Sequence, residues 1–85
     1  MTSDTRLKLL LEQNHSWPSR YTFKFVVPKA EEPAVRSLLP KATYVTRPSK
    51  KGNYVALTTT VEAESADWVI EVYEKASTIA GLIAL

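Results

Sequence analysis

The chain has 85 residues, 45% of them hydrophobic and 24% charged, which excludes a wholly disordered or membrane-embedded polypeptide and fits one domain around one small core. Eleven basic and nine acidic residues leave a net charge of +2, too even a balance to drive phosphate binding through bulk charge. Cysteine is absent, which excludes a disulfide framework, a thiolate metal site and a thiol nucleophile, and fits a reducing, cytoplasmic setting.

Residues 1–5 are small and polar and are expected to be flexible. Leu7, Leu10 and Leu11 then recur at i, i+3 and i+4, the spacing of a short amphipathic helix, which Asn14-His15-Ser16 ends. The longest early apolar run, Leu9-Leu10-Leu11, is too short for a signal-peptide core or a membrane span, so no membrane association is expected. Trp17-Pro18-Ser19 is extended or turned, because proline disfavours the helical region for the residue before it. From Tyr21 to Val27 the odd positions are all large and apolar, which predicts a strand with one buried face that Pro28 stops. Between Lys29 and Pro40, Pro33 in a first turn and Val35, Leu38 and Leu39 at spacings of three and four predict a second helix. Ala42 to Arg47 is β-branched and aromatic and reads as a second strand, though its parity does not say which side faces inward. Pro48 marks that strand as an edge.

Pro48-Ser49-Lys50-Lys51-Gly52-Asn53-Tyr54 is a turn, with Gly52 and Asn53 tolerant of positive φ, and it leads into a strand whose apolar positions are Val55, Leu57 and Val61. Ser65 is a helix N-cap with Asp67 near the positive end of the helix dipole. Val69, Val72, Tyr73, Ala76 and Ile79 or Ala80 then follow helical spacing as far as Gly81. Leu82 to Leu85 completes the chain as a fourth strand. The order after the first helix is β-α-β-β-α-β, which predicts an α+β, ferredoxin-like sandwich over residues 6–85. Its sheet is antiparallel with four strands in the order 4-1-3-2 and two helices on one face, and the short N-terminal helix is added to it.

The hairpin Pro48 to Tyr54 resembles the P-S-S-K-G-N-Y motif of the YbeD-like family of small bacterial proteins of unknown function, with Lys50 in place of the second serine. Trp17-Pro18 with Tyr21, Phe23 and Lys24 is similar to the family's aromatic-proline approach to its first strand. Val72-Tyr73-Glu74 stands where its second helix has a hydrophobic-Tyr-Glu pattern, so the resemblance covers roughly residues 10 to 85. It implies a ferredoxin-like fold reminiscent of the ACT ligand-binding regulatory domains. Val27-Pro28 replaces the hydrophobic-glycine pair common in the family, and the first helix is shortened, which bears against transferring an ACT ligand site to this chain.

Charge is unevenly spread. Arg20 to Lys51 holds eight basic residues against Glu31 and Glu32, while Glu62 to Glu74 holds five acids and no base. The candidates for contacting a ligand or partner are Lys24, Arg47, Lys50, Lys51 and Tyr54; Pro48, Ser49, Gly52 and Asn53 have a structural reason to be where they are. Lys24 is expected on the open sheet face, solvated there, paired with Glu62 across strands or bordering a partner. His15 has no companion at metal-ligand spacing and Ser65 has no base beside it, so neither a metal centre nor a catalytic residue is expected, and no cofactor. Base stacking on single-stranded RNA needs outward aromatics, whereas the open face of the third strand offers Ala56, Thr58 and Thr60. That flat, mildly apolar face, with Val26, or the final edge strand, is a surface for a homodimer. The expectation is a non-enzymatic regulatory or interaction module that binds a small metabolite or a protein partner. The alternative is a nucleic-acid-binding accessory that uses the basic hairpin.

Overall fold

Two long runs of alternating residues form the centre of the molecule, and the helices are arranged by what those runs must bury. A computed structural model describes residues 5–85 and contains α1 (Thr5–Asn14), β1 (Ser19–Pro28), α2 (Glu32–Leu38), β2 (Val45–Pro48), β3 (Tyr54–Ala63), α3 (Ala66–Ala76) and β4 (Ile83–Ala84). A single 3-10 turn, Lys29–Glu31, leads into α2. Of the tail expected to be flexible, residues 1–4 lie outside the described residues and Thr5 opens α1. Among the described residues the strands form a four-stranded sheet in the order β2-β3-β1-β4, antiparallel at every step.

β1 and β3 pair along their whole length, from Ser19 opposite Ala63 to Pro28 opposite Tyr54. Because side chains alternate across a strand, the odd positions of both face the same way. Phe23, Phe25, Val27 and Leu57 are fully buried there, with Val55 and Thr59 nearly so. Leu11, Val35, Val69, Ile70, Val72 and Ala76 close over them from α1, α2 and α3. The even positions Thr22, Lys24 and Thr60 are exposed and Val26, Ala56 and Thr58 only half-buried, so the other face of the sheet is uncovered among the described residues.

Local details depart from expectation for identifiable reasons. In α1 it is Leu7 and Leu11 that turn inward, while Leu10 is 56% exposed. β2 begins at Val45, three residues later than expected, because Thr43 and Tyr44 are held on the helix side. The Thr59 hydroxyl donates to the Thr43 carbonyl at 2.8 Å, and the Tyr44 hydroxyl donates to the Val35 carbonyl at 3.1 Å. That carbonyl is in the last turn of α2. Burial on this packed side raises the Tyr44 pKa above the usual phenol value.

Ser65 caps α3 as expected, its Oγ accepting the Trp68 N–H at 3.1 Å. The helix nevertheless ends at Ala76, short of Gly81. The hydroxyls of Ser77 and Thr78 donate to the carbonyls of Glu74 and Lys75 at 2.6 and 2.8 Å, and such local bonds compete with helix continuation. Gly81, with φ +73°, instead shapes the turn into β4 and lies against the ring of Pro28. The Trp17–Pro18 peptide that leads into β1 is cis.

Candidate functional site

The hairpin between β2 and β3 is closed by its own backbone. The Gly52 N–H donates to the Ser49 carbonyl at 3.0 Å, and the Ser49 N–H donates to the Tyr54 carbonyl at 2.9 Å. The Ser49 Oγ accepts the Tyr54 N–H at 3.2 Å, and the Asn53 carbonyl accepts the Lys29 N–H at 3.0 Å. Gly52 takes φ +75°; Asn53, expected to share that conformation, does not, since a single left-handed residue completes the turn. Ser49, Gly52 and Asn53 are therefore occupied in holding the turn, and Lys50 and Lys51 stand exposed at its tip.

The other candidates lie on the sheet. Register places Lys24 opposite Thr58, and Thr58 opposite Val45. Glu62, one of the partners expected for Lys24, is opposite Arg20 instead, because β1 and β3 pair four residues away from that pairing. The next row runs Arg47, Ala56, Val26, Ile83 across the four strands. Lys24 and Arg47 thus share the uncovered face but are two strands and two residues apart, about 12 Å between Cα atoms for ordinary sheet spacings. Tyr54, 44% exposed and opposite Pro28, stands at the hairpin end of the same face.

The five candidates do not converge on one cavity. Arg47, Tyr54 and Val26 border a depression of about 170 Å³, and Tyr54, Lys29 and Glu32 border another of about 190 Å³. Both are below the roughly 300 Å³ at which small-molecule sites begin. Lys24, Lys50 and Lys51 line neither.

What the arrangement does bring together is apolar. Val45, Ile83 and Leu85 are 70%, 53% and 67% exposed. Val45 and Ile83 share the uncovered face by register, and the alternation of the last strand puts Leu85 there too, its N–H bonded to the Lys24 carbonyl at 2.9 Å. With Val26 and Ala56 they make a belt about 14 Å wide across the strands, judged from the interstrand spacing. Lys24 and Arg47 stand within its rows, and Arg20 faces Glu62, the one carboxylate of the paired rows, two rows further along the same face. Val45 was out of reach of sequence reasoning because the parity of β2 is set only by pairing, and Ile83 and Leu85 because a two-residue strand carries no periodic signal.

A larger groove, of about 400 Å³, lies at the opposite end of the sheet, lined by Leu39, Pro40, Lys41, Ala42, Val61, Glu62 and Trp68. The His15 Nδ1 is 3.2 Å from the Ser19 Oγ and its ring packs on Trp17 and Tyr21. Among the described residues no group of three or more His, Cys, Asp or Glu side chains is placed to hold a metal ion, and no helix is long and apolar enough to cross a membrane.

The model of a protein family of unknown function, DUF493, matches residues 12–84. The chain belongs to the DUF493 family. The DUF493 span takes in all four strands, α2, α3 and the last turn of α1, and so includes the uncovered sheet face and the hairpin. No curated protein and no solved structure gives a significant match to this DUF493 chain.

Proposed function

We propose that this DUF493 chain is a non-enzymatic interaction module that docks a protein partner on the uncovered face of its sheet. The partner presents an apolar patch edged by carboxylates. The observation that carries the reading is the exposure of Val45, Ile83 and Leu85 on one face that three basic residues and one acid punctuate. Completing the burial of those three side chains is worth roughly 1 kcal/mol or more each, enough to anchor an interface. The surrounding cations would favour an acidic rim and speed encounter. The strand order, read from the other edge as β4-β1-β3-β2, supports a ferredoxin-like, ACT-like arrangement, and the hairpin supports a YbeD-like bacterial subfamily; a regulatory role in the cytoplasm accords with both.

A photo-reactive phenylalanine analogue at position 45 or 83, in living cells, tests this against the same residue at Glu74 on the exposed side of α3. Crosslinks to one protein species from positions 45 and 83, none from 74, and their loss with Lys24→Glu plus Arg47→Glu are expected. Equal labelling from all three positions, or none from any, would sink the idea. Crosslinking to RNA, abolished by Lys50→Glu plus Lys51→Glu, would instead support the nucleic-acid alternative. The open face gives that alternative little help, since Tyr54 is its one aromatic side chain among the paired rows.

A further inference from the structure

The groove of about 400 Å³ lies where β2 parts from β3. Their ladder runs from Pro48 opposite Val55 to Val45 opposite Thr58 and stops there, although β3 continues to Ala63. The two hydroxyl bonds described above cause the parting: Thr59 takes the Thr43 carbonyl, and Tyr44 reaches up to α2. Residues 39–42 are left standing away from the end of β3, with their own turn closed by the Ala42 N–H on the Leu39 carbonyl at 3.0 Å. Trp68, Val61, Leu39 and Pro40 give the resulting groove an apolar lining.

The alternation of the ladder decides where the free main-chain groups of β3 point. The Tyr54 carbonyl is bonded on the β2 side and the Asn53 carbonyl on the β1 side. Even-numbered residues of β3 therefore turn their N–H and C=O toward β2, and odd-numbered ones toward β1. Thr60 and Glu62 are even and lie beyond the last β2 pair. Their donors and acceptors point to the side that β2 has left, a short stretch of open strand edge beside an apolar hollow that Glu62 itself lines. Lys41 is exposed at the rim and is in no ion pair among the described residues.

We propose that this groove binds an extended peptide segment. The segment adds to the β3 edge through the main chains of Thr60 and Glu62, seats one apolar side chain against Trp68, Val61 and Leu39, and sets an acidic neighbour against Lys41. An unpaired strand edge supplies main-chain affinity and an adjoining pocket supplies side-chain selectivity, which is the division of labour in strand addition. A groove of about 400 Å³ exceeds what one leucine or phenylalanine side chain fills, leaving room for the flanking backbone. A small apolar metabolite would fill the hollow and leave both edge residues unpaired. This site is at the other end of the sheet from the hairpin and stands independently of docking on the uncovered face.

The probe is a fluorescein-labelled octapeptide of alternating threonine and valine with a central leucine-aspartate pair. Its binding is followed by anisotropy and by Trp68 fluorescence in a Trp17→Phe background. Among the described residues the buried Trp17 Nε1 has no hydrogen-bond partner, so that substitution removes no bond. Saturable binding is expected, weakened about tenfold by methylating the edge-facing peptide nitrogens, as loss of one or two hydrogen bonds requires. Lys41→Glu should weaken binding several-fold, and replacing the peptide aspartate by lysine should restore it. Lys75→Glu, exposed at the far end of α3 from Trp68, should leave it unchanged. Absence of binding at millimolar peptide, equal binding of the methylated peptide, or full competition by free leucine would each overturn the proposal.

Discussion

A pair of phenols joins β1 to α3 inside the aromatic layer. The hydroxyls of Tyr21 and Tyr73 are 2.9 Å apart, and the Tyr73 ring meets those of Phe23 and Phe25 edge-on. Burial, and then the hydrogen bond to Tyr21, push the Tyr73 pKa well above the ordinary phenol value, because a phenolate there would lose water and face a second phenol oxygen. The sign of the consequence follows from linkage. A group whose folded pKa is raised contributes stability that is intact below the unfolded pKa of about 10 and is lost as pH rises from there toward the folded value. Denaturant unfolding should therefore give a flat contribution between pH 7 and 9 and a decline above about pH 10. Tyr73→Phe should remove that part of the decline; an identical alkaline slope in the variant would contradict the assignment. Tyr44, raised by burial in the same direction, contributes to the remaining slope.

At the scale of elements, two glycines with nearly the same backbone angle have unequal importance. Among the described residues nothing lies within 4 Å of where a Cβ would stand on Gly52 at φ +75°, whereas a Cβ on Gly81 at φ +73° would lie 2.9 Å from the Pro28 Cγ. Gly52→Ala should cost about 1–2 kcal/mol, the left-handed penalty alone. Gly81→Ala adds the displacement of Pro28, a ring at the end of β1 with little freedom to yield. It should cost measurably more in thermal unfolding and should loosen β4, seen as faster amide exchange at Leu85. Equal costs would show that the turn before β4 adjusts freely. These same elements explain what could be read in advance. The alternations of β1 and β3 were legible because a face buried along ten residues writes period two into the sequence, and Ser65 was legible because a cap is a local bond. The start of β2 was not, since Tyr44 has a strand former's character and is drawn off the sheet by a helix carbonyl nine residues earlier in sequence. The end of α3 depended on Ser77 and Thr78, whose hydroxyls act on carbonyls three residues back. Of the candidate site, the basic side chains were visible as composition. Of the belt, Val26 and Ala56 were legible from alternation, whereas Val45, Ile83, Leu85 and the groove arise from pairing register and strand departure, which no local pattern encodes.

For the molecule as a whole, the two sides differ in charge as well as in polarity. Glu64, Asp67, Glu71 and Glu74 are exposed on α3 and the segment leading into it, with Asp67 tied to Lys8 of α1 at 3.1 Å, while Arg20, Lys24 and Arg47 occupy the uncovered sheet face. A homodimer made by packing two such sheet faces would bury the apolar belt but would also bring three cations of each copy toward three of the other, against one carboxylate apiece. In water at low salt each such approach costs on the order of 1 kcal/mol at contact distances, and together they offset much of what the belt gains. An acidic partner reverses the sign of every one of those terms. The chain should accordingly sediment as a monomer at micromolar concentration in low salt. Self-association should rise with ionic strength as the cations are screened, and should rise further in Lys24→Gln plus Arg47→Gln. A dimer that is tight at low salt and dissociates at high salt would mean that the faces are complementary to themselves, and the acidic-partner reading would then give way to a symmetric assembly.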